Sequence, residues 1–285
     1  MPPLLNLFYN VYERSLLAGM KGKKVPDHIA IIMDGNRRFA GKFGKRVDYG
    51  HSRGADITEK VIEWSYEMGV KELTIYAFST ENFNRSDDET VRLFELITNK
   101  FDYMRKNERT HEREIRVRAV GDIGLLPKEL QEATRRIEKA TKGYRKFKLN
   151  VAIAYGGRQD IVQAVRKMAN KVLINELMPE EINENTVAEH LYPIEGASVS
   201  DVDLIIRTGG NERISNFLPW QANGNECAAY FCAPFWPEFR KIDLLRSIRI
   251  YQTRLAEQKR YERHREELFL NKMQNRCKKE ERIRN

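Results

Sequence analysis

A single α/β domain, built on a mainly parallel sheet with helices on both faces, is the fold class this sequence predicts. Three observations carry it. Short apolar runs alternate with longer stretches of helical periodicity along most of the chain. The first run, Ile29-Ala30-Ile31-Ile32-Met33, has no polar position, as expected of a strand buried on both sides. No internal repeat, linker or composition break divides the chain, so residues 1–285 read as one domain.

The elements follow in order. Residues 4–17 carry Leu4, Leu5, Phe8, Tyr12, Leu16 and Leu17 at helical spacing, with Gly19 as a stop. Their polar face is not strongly basic, which favours a helix packed on the domain over one lying on a membrane. After the strand at 29–33 comes Asp34-Gly35-Asn36, a sharp turn, and then Arg37-Arg38, where a helix can begin with its positive end toward the turn. Residues 41–50 read as a flexible basic stretch able to open and close beside an anion site, and His51 as the start of a helix to about Met68. Residues 73–78 are a β-branched and aromatic strand. A helix from Asp87 to Lys106 presents Val91, Phe94, Leu96, Ile97, Phe101 and Met104, a face suited first to the core and second to a long apolar ligand. Strands at 115–120 and 149–154 bracket a helix at 127–141 that opens on proline. Helices at 159–173 and 186–191, a loop at 193–200, strands at 203–206 and 228–232, and a long helix with a charged tail over 241–285 complete the series.

The balance of charge points to acidic partners. Formal net charge is +9 with a pI near 9.3, yet 41 acidic residues are spread among 50 basic ones, which argues against a simple nucleic-acid arm. A nucleic-acid surface would also set aromatic stacking residues among basic strands, and none is expected to bind here. Cys227, Cys232 and Cys277 have no recognised metal spacing, and their odd number indicates a reducing, cytoplasmic setting. No apolar run approaches the ~20 residues that span a bilayer. The basic tail leaves room for a peripheral place at an anionic membrane surface.

Three polar clusters sit directly after strands, where open α/β sheets bind ligands. The first is Asp34-Gly35-Asn36-Arg37-Arg38. The second, residues 79–85, offers hydroxyls, a carboxylate, amides and Arg85. The third, residues 206–217, offers Arg207, Thr208, a glycine pair, Arg213 and Ser215, and is followed by Trp220 and Glu226. Arginines fork onto phosphate oxygens. Asp34 would repel phosphate unless a divalent cation lay between them. With Arg37, Arg38, Arg85, Arg158, Arg207 and Arg213 near strand ends, there is more cation than one phosphate needs; two diphosphates or one polyphosphate would use it.

On these stretches the sequence resembles the cis-prenyltransferase family, which includes undecaprenyl and dehydrodolichyl diphosphate synthases. The matching segments are HIAIIMDGNRRFA, Gly50-His51, YAFSTENFNRS, VGDIGLLP, NVAIAYGGRQDI, DLIIRTGGNERISNFLPWQ and FWPEF, in the family's order over most of residues 26–240. The resemblance implies a six-stranded, mainly parallel sheet with an apolar substrate tunnel. It also implies a homodimer formed through the region after the third cluster. The implied chemistry is Mg²⁺-dependent cis addition of isopentenyl diphosphate to an allylic diphosphate of C10, C15 or C20 length, giving a long polyprenyl diphosphate, precursor of a glycosyl carrier lipid.

Roles carry over residue by residue. Asp34 matches the essential aspartate that handles magnesium and the leaving diphosphate, and Glu226 a second magnesium ligand. Gly35, Asn36, Arg37 and Arg38 match the loop cradling the allylic diphosphate, with Phe39 beside it and His51 near it. Ser79, Thr80, Glu81 and Phe83 line the same region, with Arg85 as a further anion contact. Asn82 matches the position assigned to proton removal, although a neutral amide is a poor base. Arg207, Arg213, Ile214 and Ser215 match the isopentenyl diphosphate pocket. Two departures stand out. Val47 occupies the place of a usual loop arginine, so that Arg46 or Lys45 would substitute. The spacing from Glu226 to Trp236 is two residues longer than in bacterial relatives. The DGNRR form looks archaeal or eukaryotic, which favours a C20 starter. The rival reading is a non-catalytic polyprenyl-binding subunit; it would keep the tunnel and lose the Asp34-type motif. A P-loop is absent, and Asp87-Asp88-Glu89 is the nearest approach to a trans-prenyltransferase aspartate motif.

Overall fold

The computed structural model describes the backbone of residues 3–193, 198–222 and 227–284, and side chains of residues 8–269 within those segments. Six strands form one sheet: β1 (His28–Ile32), β2 (Glu72–Ser79), β3 (Ile115–Val120), β4 (Phe147–Tyr155), β5 (Leu204–Arg207) and β6 (Ala228–Phe231). Their order is β3-β4-β2-β1-β5-β6, and every pairing is parallel. The expected mainly parallel sheet is therefore wholly parallel among the described residues. Parallel strands need crossovers, which the intervening helices supply. The helices are α1 (Pro3–Met20), α2 (Asn36–Lys42), α3 (Val47–Glu67), α4 (Asp87–Lys106), α5 (Glu108–Glu112), α6 (Lys128–Thr141), α7 (Gly157–Leu173), α8 (Glu184–His190) and α9 (Lys241–Arg284).

The sheet divides two apolar clusters by residue parity. Ile29, Ile31, Leu73, Ile75, Leu149 and Val151 face the larger one, with residues of α1, α3, α4, α6 and α9. Ala30, Ile32, Val120 and Ala152 face the smaller one, which is closed by Tyr192, Val202, Phe217 and Leu218. Leu16 and Met20 bury α1 in the larger cluster, while Tyr9 and Tyr12 lie beneath the guanidinium groups of Arg240, just before α9, and Arg246 on α9. The N-terminal helix is thus packed on the domain, as expected from its weakly basic polar face.

Two sequence expectations need correction. The stretch 41–50 is not a flexible loop, because α2 runs to Lys42 and α3 already begins at Val47. His51 consequently lies in the second turn of α3 rather than at its start. Of the glycines that suggested a loop, Gly50 serves close packing: a Cβ there would lie 2.1 Å from the carbonyl oxygen of Asn36. The backbone of the C-terminal segment also continues as one helix to Arg284, where a long helix and charged tail were expected. The loop expected at 193–200 lies partly outside the described residues.

At the amino ends of the strands the smaller-cluster face is polar yet buried. Thr74 and Asn150 are fully enclosed, and Asn150 donates to Glu72 at 2.7 Å. His28 places Nδ1 3.0 Å from the carbonyl of Ser200 and Nε2 2.7 Å from the Thr74 hydroxyl. A neutral ring with hydrogen on Nδ1 satisfies both contacts. Burial pushes the His28 pKa below its ordinary value, against the opposing pull of Glu72 and the nearby carbonyls. In the window between the unfolded value, about 6.5, and the lowered folded one, the unfolded chain binds more protons. Stability is therefore present above that window and falls as pH drops through it. His51 acts in the same direction. The urea midpoint of wild type should fall between pH 7.5 and 5.5, and His28→Gln should show a shallower fall; equal slopes would remove His28 from the cause.

Candidate active site

Three strand ends build one cleft of about 730 Å³. Beyond β1 the chain turns at Gly35, whose φ of 107° is the left-handed region glycine tolerates. The turn is held from outside. The Asp34 carbonyl accepts from the Thr208 hydroxyl at 2.7 Å and from the Trp236 amide at 3.0 Å. Trp236 in turn donates its indole N–H to the Gly54 carbonyl at 2.9 Å, which ties the turn to α3.

The Asp34 carboxylate is the point where the first and third clusters meet. Oδ1 accepts from Arg38 at 3.0 Å; Oδ2 accepts from Arg207 at 2.9 Å and Asn211 at 2.8 Å. Burial raises its pKa, but the hydrogen bonds from Asn211, Arg207 and Arg38 outweigh that and hold it below the usual carboxylate value. Asp34 is ionised at neutral pH. Arg207 carries the bracing further, donating to the Arg213 carbonyl and the Ser215 hydroxyl, each at 2.7 Å. One buried guanidinium thus fixes the aspartate and the loop that presents Arg213 and Ser215.

Beyond β2, residues 80–84 form a 3-10 turn. The Ser79 amide donates to Asn82 Oδ1 at 3.0 Å. The Asn82 carbonyl oxygen is therefore committed to capping its own turn, which weakens its case as a proton acceptor. Glu81 accepts from Asn216 at 3.4 Å, joining the second cluster to the third.

Ser79, Glu81, Asn82, Arg85, Asp34, Gly35, Asn36, Arg37, Arg38, His51, Arg207, Arg213 and Ser215 all line the cleft. Other candidates do not line it. Phe39 is buried between α2 and α3, with its ring 5.0 Å from that of Phe43. Phe83 packs on Phe78 at 4.9 Å. Ile214 joins the smaller apolar cluster, and Thr80 lies against Gly156. Glu226 lies outside the described residues. Arg158 is engaged through its backbone with Asn216 rather than in the cleft. Arg46 is paired with Asp48 at 3.2 Å and Asp88 at 3.1 Å, while Val47 itself lines the cleft.

Two contributors were not among the sequence candidates. Asn211 donates to Asp34, as above. Glu89 on α4, its side chain 8% exposed, meets Arg85 at 3.0 Å, His51 at 3.2 Å and Arg37 at 3.7 Å. It holds three cleft residues: Arg37 on α2, His51 on α3 and Arg85 in the link before α4. Its only sequence signal was an acidic run at the start of a helix, which is ordinary helix chemistry.

Next to the cleft lies an apolar cavity of about 110 Å³ between α3, α4 and the sheet. Ile62, Ile75, Leu96, Ile97, Phe101 and Met104 are among its walls, and Met33, Asn36, His51 and Ala77 border both spaces. The apolar face of α4 is thus core that also borders a chamber. Lys100 and Glu59, paired at 2.6 Å, stand in the same wall.

A parallel α/β sheet with arginines and the ionised Asp34 gathered at its carboxyl ends, beside an apolar chamber, defines an enzyme class that handles amphipathic polyanions. The comparisons give the particular family. Residues 32–261 match the prenyltransferase family model described as "Putative undecaprenyl diphosphate synthase". A Methanosarcina mazei protein named tritrans,polycis-undecaprenyl-diphosphate synthase (geranylgeranyl-diphosphate specific) is 60% identical over 255 residues, 90% of this chain and 86% of that protein. An Archaeoglobus fulgidus protein of the same name is 53% identical over 248 residues, 87% of this chain and 97% of that one. Among solved structures, lavandulyl diphosphate synthase from Lavandula x intermedia, in complex with dimethylallyl diphosphate, superposes with a TM-score of 0.73 at 35% identity. That match covers 80% of this chain and 95% of the other. The chain belongs to the cis-prenyltransferase family, the undecaprenyl diphosphate synthases, and is a transferase of archaeal type.

Proposed function

We propose that this cis-polyprenyl diphosphate synthase extends geranylgeranyl diphosphate, a C20 allylic starter, by successive cis additions of isopentenyl diphosphate. The observation that carries the reading is the shared wall of Met33, Asn36, His51 and Ala77 between the arginine-lined cleft and the apolar cavity. An allylic diphosphate is itself built that way, with a polyanionic head and an apolar tail. The C20 preference is supported by the names of the archaeal relatives.

In this reading Arg37, Arg38 and Arg85 hold the allylic diphosphate beside the Gly35-Asn36 turn. Arg213 and Ser215, fixed by Arg207, receive isopentenyl diphosphate. Glu89 is a positioning residue that keeps Arg37, Arg85 and His51 aimed at the first of these sites. Burial lowers the His51 pKa despite the raising effect of Glu89, so its ring is neutral near pH 7 and serves as a hydrogen-bond partner rather than a charge. As the allylic C–O bond breaks, negative charge grows on the departing diphosphate, and preorganised guanidinium groups stabilise it. The Asn82 amide orients, and the departing diphosphate is the better proton acceptor.

The residues present fit magnesium. An ionised carboxylate has about four acceptor positions, and Arg38, Arg207 and Asn211 take three on Asp34. One position on Oδ1 is left, and Mg²⁺ is commonly held by one or two carboxylates together with substrate phosphates. Asp34 would hold the ion, with Glu226 as a second ligand. When bound, magnesium supplies Lewis-acid neutralisation of the leaving group. We further propose that the chain works in the cytoplasm as a homodimer.

The test is incorporation of radiolabelled isopentenyl diphosphate with Mg²⁺, run separately with C10, C15 and C20 starters. The C20 starter should give the highest kcat/KM and long cis-rich products. Equal use of all three would remove the starter assignment. No incorporation by folded protein would favour the non-catalytic subunit instead.

A further inference from the structure

The carboxyl edge of the sheet runs across the floor of the cleft and gives it two unlike sides. Met33 and Ala77 border the cleft on the face of the larger cluster, and both also line the apolar chamber. Ile32 and Tyr76 border it on the face of the smaller cluster, and neither lines the chamber. A tail that enters the chamber therefore leaves the second side free for another apolar group.

On that second side three residues stand in one row. Ile32 is in register with Tyr76 on β2 and with Arg207 on β5. Residues in register share a face of the sheet. Adjacent strands lie about 4.8 Å apart, so the row spans about 10 Å. It passes from an aromatic ring, over an aliphatic side chain, to a guanidinium. Arg207 leads on to Arg213 and Ser215, which it braces. Phe217, two residues past Ser215, lies face to face with Tyr76, their ring centroids 4.4 Å apart and their planes 10° from parallel. One end of the row thus carries the anion-binding loop, and the other is apolar.

Tyr76 is held as a wall rather than as an acid or a base. Its hydroxyl donates to the Tyr155 carbonyl at 2.9 Å. The Tyr155 ring meets it edge-on at 5.9 Å, and Tyr155 and Phe217 are themselves fully buried. Burial, joined by the charge of Glu81, pushes the Tyr76 phenol above its ordinary value. The phenol stays neutral and its proton is committed, so ring carbon is what it offers the cleft. Among the described residues lining the cleft, Tyr76 alone carries a phenyl or phenol ring.

We propose that Tyr76 is the specificity wall for the five-carbon unit of isopentenyl diphosphate. With the diphosphate on Arg213 and Ser215, the isopentenyl group lies over Ile32 and ends against the Tyr76 ring. The inference rests on the proposed function in its assignment of isopentenyl diphosphate to Arg213 and Ser215. A ring stacked on Phe217 and tethered at its hydroxyl cannot retreat into close-packed surroundings, so it admits five carbons and resists a bulkier homologue.

The experiment compares three ligands on wild type, Tyr76→Ala, Tyr76→Leu and Tyr76→Phe. They are isopentenyl diphosphate, its one-carbon-longer homologue 3-ethylbut-3-enyl diphosphate, and inorganic diphosphate. Equilibrium binding is read first, then kcat/KM with the C20 starter. Wild type should favour isopentenyl diphosphate over the ethyl homologue by at least about tenfold. Tyr76→Ala should weaken isopentenyl diphosphate about tenfold and bring that preference close to unity. Inorganic diphosphate should bind the variant as it binds wild type, because it has no group that meets the ring. Tyr76→Leu, which fills much of the same space without a ring, should lie between, and it carries the test if the alanine variant does not fold. Tyr76→Phe keeps the ring and should restore the preference. An unchanged preference in the alanine or leucine variant, or an equal loss of inorganic diphosphate, would overturn the proposal. So would a Tyr76→Phe variant as impaired as Tyr76→Ala, since the hydroxyl would then be the group that counts. Absence of turnover by folded wild type would strike the proposed function, whereas the binding preferences decide the role of Tyr76.

Discussion

Asp34→Ala should lower the rate of isopentenyl incorporation by at least about a thousandfold while leaving a folded protein. The carboxylate is the single acidic group on which Arg38, Arg207 and Asn211 converge. Removing it takes away the proposed metal-holding oxygen and frees Arg207 from one of its three partners. The loss should appear in kcat rather than in starter binding, because the arginines remain and lose a competing anion. Steady-state kinetics with the C20 starter, and starter binding without Mg²⁺, separate the two effects. An activity within tenfold of wild type would end the assignment of Asp34. The sign with pH follows from the depressed pKa: the ionised, hydrogen-bonded form stabilises the turn above the ordinary carboxylate range. That contribution is lost as pH falls through the lower folded value.

Gly50→Ala should damage both stability and catalysis, although it changes no polar group. Its Cβ would stand 2.1 Å from the backbone oxygen of Asn36 and 3.3 Å from the Ala40 side chain. A backbone carbonyl has no rotamer to yield, so α3 must move away from the diphosphate turn. Overpacking of this kind costs about 1–3 kcal/mol, and a shift near 1 Å at a reacting centre costs about a hundredfold in rate. Gly41→Ala is the control. That position is helical with nothing within 4 Å of an added Cβ, and the change should be neutral or stabilise by up to about 1 kcal/mol. Urea melts and kcat/KM on both variants decide; if Gly50→Ala melts and turns over like wild type, the close packing of α2 on α3 has no functional weight.

The same glycine explains where sequence reading failed. Strands were legible because buried parallel strands are uniformly apolar and end in polar turns; β1 and β2 were placed to within one residue at most boundaries. The start of α3 was not, because Gly41, Gly44 and Gly50 together look like loop composition. Only the folded structure shows Gly50 admitting a neighbouring backbone rather than breaking a helix. Within the site, Asp34, Arg38, Arg207 and Ser215 were legible because they belong to the polar clusters that follow the carboxyl ends of β1 and β5. Glu89 was not, since it meets His51 across 38 positions of sequence and lies within an acidic run that any helix start could carry. Phe39 and Phe83 were found by motif but do not line the cleft: Phe39 is buried, and Phe83 packs on Phe78 while staying partly exposed.

The small chamber beside the cleft has a mechanical consequence. Its volume of about 110 Å³ is well below the roughly 300–1,000 Å³ that drug-sized ligands occupy. Under the proposed function a growing chain soon outgrows it and must act as a wedge, prising α4 from α3 through packing that resists every added methylene. The Lys100–Glu59 pair between those helices is then a clasp that the advancing tail has to pass. Elongation on this view does work against the protein's own interior. It slows when the resistance of the wall matches the free energy released by each addition, so the product behaves as a ruler pressed against a spring.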